Sequence, residues 1–316
     1  MFKKSLLAAS LALAAAGAQA SVVVNIDFDG LGALESSTAI RSLDWSPNSV
    51  LVTAMPGENV NNPYLGQVVQ TYIQGSLGST IAGNGSVFNP FGLNANNVLG
   101  YEWTFVGAFQ EVIAGVQGGI NPGDGTVTLQ TIAGGNNFFE VWVSAKDSNA
   151  LAGTGYANGV KILSGSIDVY DAVADKGKTS FTTTAGTAIV PLDGSGTDNY
   201  AGKMSVTGSG TGDVNLTVSY VDNNYFANLN VGDLVNIFLQ TNLGLPFGQV
   251  DPSALVAGQA AVSTVGTVNG IDGPNLMLQS DAASNFETKR IPEPASAALV
   301  GLAMAGLGVS RRRSAK

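Results

Sequence analysis

NFFEVWVSA, residues 137–145, alternates side chains in period two. Phe139, Val141 and Val143 fall on one face and Glu140 and Trp142 on the other, as in a half-buried strand. Stretches of the same kind recur on both sides: SVVVNIDF (21–28), GTVTLQTI (125–132), GVKILSGSIDVYDA (159–172), GTAIVPL (186–192), KMSVTGSG (203–210), DVNLTVSYV (213–221) and DLVNIFLQT (233–241). They are rich in Val, Ile, Thr and aromatics. Turn clusters separate them, among them 121–125 (NPGDG), 134–137 (GGNN), 193–196 (DGSG) and 222–224 (DNN). Gly, Asn and Asp there supply positive φ or side-chain bonds to the turn backbone. No convincing amphipathic helix interrupts residues 21–290, so the sequence predicts an all-β, antiparallel, jelly-roll-like β-sandwich. The Gly-, Asn- and Ser-rich stretch 75–97 reads as a long surface loop, and 280–290 (SDAASNFETKR) as a stalk. Gly-x-Gly in this chain reads as turn chemistry, since no helix follows to make a dinucleotide fingerprint.

Composition removes whole classes of chemistry. The 316 residues include no Cys and no His, and 12% are charged. Without thiols there is no disulfide framework and no Cys nucleophile or Cys metal site. Without imidazole there is no Ser-His-Asp triad and no HExxH site.

The two ends read as addresses. In residues 1–20, Lys3 and Lys4 precede an apolar run, and Ala18, Gln19 and Ala20 form an A-x-A site with cleavage expected before Ser21. At the other end, Pro292, Glu293 and Pro294 precede a 16-residue apolar run, 295–310, and then Arg311, Arg312 and Arg313 in a basic tail, 311–316. As a helix the run spans about 24 Å, short for a bilayer core of about 30 Å. The arginines favour the cytoplasmic side. The expected order is a signal helix (1–20), an exported β domain (21–285), a stalk with the Pro-Glu-Pro motif (286–294), a single transmembrane helix (295–310) and a basic cytoplasmic tail. Residues 21–290 keep 8 basic and 22 acidic side chains, a net charge of −14. Nucleic acid is a poor partner for such a body.

The C-terminal tripartite tail resembles the PEP-CTERM sorting signal of exported proteins in exopolysaccharide-producing Gram-negative bacteria. The resemblance implies recognition of Pro292, Glu293 and Pro294 by an exosortase-type membrane protease, transient residence in the inner membrane, and release to the cell surface or matrix. Several interior stretches add a second resemblance: Leu43-Asp44-Trp45-Ser46-Pro47, residues 137–142, Leu151–Tyr156, Ile162–Gly165, Gly196–Tyr200, Val206–Gly210, Val250–Ser253 and Val268–Gly270. Together they are similar to the flocculation-associated PEP-CTERM proteins, which implies a non-enzymatic role in binding cells into exopolysaccharide flocs and biofilm. That family supplies no catalytic residues.

Three constellations point to chemistry. Asn25, Asp27 and Asp29, followed by Gly30, match the first half of an EF-hand loop and are candidate Ca²⁺ ligands, although position 12 is Ser36 and no helices flank it. The bland alternative is a solvent-facing first strand. Asp193, Ser195, Thr197 and Asp198, and likewise 222–224, read as oxygen-rich turns. Glu102, Glu111 and Glu140 lie near Trp103 and Trp142. Of these, Trp103, Glu140 and Trp142 are candidate carbohydrate contacts, while a glycosidase needs two carboxylates about 5–10 Å apart. The reading favoured is a matrix protein with no cofactor. The alternatives are a carbohydrate- or Ca²⁺-binding adhesion module and a matrix-remodelling glycosidase.

Overall fold

A computed structural model describes residues 23–30, 37–89, 100–118, 125–183, 189–241, 247–259 and 274–287. The expected signal peptide with Ala18, Ala20 and Ser21, the expected sorting motif at Pro292, Glu293 and Pro294, the apolar run 295–310 and the arginines lie outside them. Among the described residues no helix is long enough or apolar enough to cross a membrane.

Those residues form strands and turns without any helix. The strands are β1 (Val24–Ile26), β2 (Thr38–Ala54), β3 (Val68–Ala82), β4 (Val87–Phe88), β5 (Tyr101–Gln117), β6 (Thr126–Ile132), β7 (Phe138–Ala145), β8 (Val160–Ile167), β9 (Lys178–Thr183), β10 (Ile189–Pro191), β11 (Met204–Val206), β12 (Gly208–Val221), β13 (Leu234–Thr241) and β14 (Leu276–Glu287). The expected all-β antiparallel architecture is present. All pairings are antiparallel, and they return on themselves through β2, β3, β5, β7, β8, β12, β13 and β14. These eight strands thus close a ring of hydrogen bonds, so among them no strand is left at an open edge of the kind that invites aggregation. The long strands β5 and β12 each change partners midway. Their other halves pair with β6 and β9, which also pair with each other.

The interior is aromatic. Trp45 and Phe105 meet edge to face at 4.9 Å, and Phe105 stacks on Phe139 at 5.1 Å. Such bulk requires thin neighbours. A Cβ on Gly75 of β3 would lie 2.6 Å from the Phe105 ring. Across from Trp45, β14 presents Ala282, and Ser284 Oγ accepts the Trp45 indole N–H at 2.8 Å.

These thin positions account for three corrections. Residues 75–82 are not loop but the end of β3, where glycine makes room for Phe105. Residues 280–287 are not stalk but part of β14, held between β13 and β2, with Phe286 buried. Gly208, Gly210 and Gly212 form no turn. They lie within the single strand β12, where a Cβ on Gly208 would meet the Phe181 ring at 2.6 Å.

A second layer covers the outer face of β2, β3 and β14. Leu192, Phe247 and Val256 pack on Leu51, Tyr72 and Met277. Polar side chains tie it down: Gln74 Oε1 accepts the Ala257 N–H at 2.8 Å, and Ser49 Oγ accepts the Ser253 N–H at 2.9 Å. These bonds satisfy groups whose burial alone is unfavourable.

Candidate functional site

The sequence-predicted residues are dispersed by the fold. β1 ends at Ile26, so Asp27 and Asp29 do not share a strand face. Asp27 is buried and Asp29 exposed, unlike a solvent-facing pair. Asp27 Oδ1 accepts the Asp29 N–H at 3.2 Å, and the Asn25 backbone N–H donates to Asn228 Oδ1. Both carboxylates also face the phenol of Tyr101, which burial first, then Asp29 and Asp27, push up to about 12. Among the described residues no group of three or more acidic side chains is placed to hold a metal ion. Asp193 caps its own loop, accepting the N–H groups of Ser195 and Asn199, and Asp222 does the same for Asn224.

Trp103 is a correction. It is completely buried, packed against Phe28 and Phe226, with its indole N–H directed at the Phe28 carbonyl. It belongs to the core and offers no face to a sugar. Glu102, one position along, points the other way and holds the turn at 147–148. It accepts the N–H groups of Asp147 and Ser148 and the Ser148 hydroxyl. Glu140 and Trp142 stay on the outer face of β7, as alternation requires. Lys161 joins them, bonding Glu140 at 3.0 Å and lying 5.7 Å from the Trp142 ring centre.

The third carboxylate, Glu111, has a different environment. Alternation along β5 sends Trp103, Phe105, Gly107, Phe109, Glu111 and Ile113 to the inside. Five of those positions suit a core and one carries a carboxyl group. Glu111 is 2% exposed. Its Oε2 accepts the hydroxyl of Thr71 on β3 at 2.6 Å, and its Oε1 that of Thr179 on β9 at 2.5 Å. The carboxyl therefore bridges β3, which pairs with β5, and β9, which is separated from β5 by β6. Burial pushes its pKa above the ordinary carboxylate value, and the two threonine hydroxyls offset part of that shift.

Glu111 borders a cavity of about 130 Å³. Val69, Phe109, Val127, Leu129, Leu239 and Leu278 form much of its wall, and Gly210 and Gly212 border it where β12 lies close to β9, a Cβ on them falling 2.7 Å from the Ser180 carbonyl oxygen and 2.9 Å from Thr179. Among the described residues lining it there is no Lys or Arg. An uncompensated carboxylate in such surroundings is costly, so burial shifts the balance toward the neutral acid, which can donate one hydrogen bond as well as accept. An apolar cavity with a few convergent polar groups and one perturbed carboxyl has the physical character of a small-molecule site. Its sequence signal is the single charged residue at an inward position of an otherwise apolar alternation; its other walls come from strands distant in the chain.

A second hollow, of about 450 Å³, lies beside Asp168, Asp171, Lys176 and Asn215. Its charges are engaged within the fold: Asp168 accepts the Thr217 hydroxyl and Lys176 pairs with Asp213 at 2.7 Å.

Comparison of the chain with protein-family models, with curated proteins and with solved structures found no match.

Proposed function

We propose that this chain is an exported, non-enzymatic surface or matrix protein that promotes cell aggregation within exopolysaccharide. The observation that carries the reading is the C-terminal order of Pro292-Glu293-Pro294, a short apolar run and an arginine cluster, combined with an N-terminal signal sequence. On this reading a signal helix starts export, residues 295–310 hold the chain in the inner membrane as a helix, and an exosortase-type protease releases it. The exported body then carries a net charge of −14. Such a charge suits solubility outside the cell and bridging to polysaccharide through divalent cations.

The candidate glutamates are used within the fold, which fits a building role. Glu102 caps a turn, Glu140 is paired with Lys161, and Glu111 is enclosed between strands. The alternative of direct sugar contact rests on Glu140 and Trp142, with Lys161 beside them, because these keep an outer strand face.

Deletion of the gene is the test. Cells that still secrete polysaccharide and no longer flocculate are the expected result, and normal flocculation overturns the proposal. Recovery of peptides from 295–316 in mature surface protein refutes the processing step separately.

A further inference from the structure

The Glu111 cavity is built in a way that the matrix role does not require. A carboxyl group wholly inside a sheet interior lowers stability unless its polar atoms are satisfied, and an apolar side chain would pack there without that requirement. Thr71 and Thr179 each supply one hydroxyl, which leaves each carboxyl oxygen with further bonding capacity. The space beside it is apolar and half-open, bounded by Val69, Phe109, Val127 and Leu239 and rimmed by Thr211, which is exposed.

We propose that this cavity binds a small neutral molecule with an apolar skeleton and one hydroxyl group, the skeleton lying on Val69, Phe109, Val127 and Leu239 and the hydroxyl bonded to Glu111. Size sets the skeleton. A dry cavity of about 150 Å³ holds a benzene ring, so about 130 Å³ takes one six-membered ring or a short branched chain. Charge sets the polar group. Burial disfavours charge at Glu111 and no basic side chain lines the cavity, so a neutral partner suits it better than a charged one. A hydroxyl both donates and accepts, matching a protonated carboxyl that does the same. An alkylammonium ligand would require the carboxylate to ionise within apolar walls, and a pure hydrocarbon would leave the carboxyl's remaining bonding capacity unused.

The probes are phenol, toluene and benzylamine, titrated into the full-length chain and followed by ligand-observed NMR and thermal shift. Phenol is expected to bind up to about tenfold more tightly than toluene, the worth of one net hydrogen bond. Glu111→Leu is expected to abolish that preference while toluene still binds. Leu129→Trp, which fills the space, is expected to abolish both. If Glu111→Leu does not fold, the order of the three probes on the unaltered chain decides. Equal affinity for phenol and toluene, tighter binding of benzylamine, or no binding of any probe overturns the proposal.

Discussion

Replacing Glu111 by Gln tests the physical account of the cavity without altering its shape. The amide keeps partners for the Thr71 and Thr179 hydroxyls, which rotate to accept or donate as needed. What changes is the ability to ionise. The folded-state pKa of Glu111 lies above its ordinary value of 4.5, mainly through burial. The protonated group therefore favours the fold fully below about 4.5, and that contribution is lost as pH rises through the folded value. In this window stability falls by up to about 1.4 kcal/mol per pH unit from this one group. For a domain of 150–250 residues each kcal/mol moves Tm by about 2–4 °C, so the slope is about 3–6 °C per pH unit. Other carboxyl groups titrate too, Asp168 and Asp281 with pKa values raised by burial among them. The informative quantity is accordingly the difference between the two proteins. Calorimetric Tm profiles from pH 4 to pH 8 are expected to start close together and diverge, with Glu111→Gln the more stable at the upper end. Parallel profiles refute the reasoning, because they mean that Glu111 ionises in the fold as easily as in the unfolded chain.

Trp103→Ala is expected to cost about 3–5 kcal/mol in urea denaturation, as removal of a fully buried aromatic does, and a near-neutral result would place Trp103 on the surface. Glu140→Ala is expected to cost under about 1 kcal/mol by the same measurement, since the Lys161 pair is partly solvated. Gly165→Ala places a Cβ 2.3 Å from the Thr217 carbonyl oxygen and is expected to destabilise by at least about 1–3 kcal/mol, read as a lowered urea midpoint. Thermal unfolding is expected at the same Tm in EDTA and in millimolar Ca²⁺, because Asp27 is spent on a local turn; a rise in Ca²⁺ would restore the metal reading.

Strands that carry large β-branched and aromatic residues were legible from sequence, because period two is visible where one face is bulky. β7 shows this in Phe139 and Val141, and β13 in Val235 and Ile237. The end of β3 and the whole of β14 were not. Their inward positions hold Gly75, Ala282 and Ser284 because Trp45 and Phe105 on the neighbouring strands fill the space beside them. A small residue facing a large one is apolar packing only in three dimensions; along the chain it reads as linker. The site divides in the same way. Glu111 stands out once β5 is drawn as an inward alternation, whereas Thr179 and the glycines of β12 come to it through pairings between distant segments. Trp103 and Trp142 look alike as tryptophans beside glutamates. Position parity alone separates the core residue from the outer one.

The place of β14 in the ring has a consequence for the order of assembly. Its partners are β13, nearby in sequence, and β2, near the start, with Leu276 beside Val52. No earlier segment of the ring joins β13 to β2, so both strands keep a bare edge until residues 276–287 arrive. A chain delivered from its N-terminus through a membrane pore would therefore remain an open sheet for nearly its whole passage. Pairings between such distant segments form slowly, and the closing step depends on the last strand to emerge. On the proposed export route, late closure would keep the chain threadable during transport, at the hazard of exposed edges that meet neighbouring copies before β14 does.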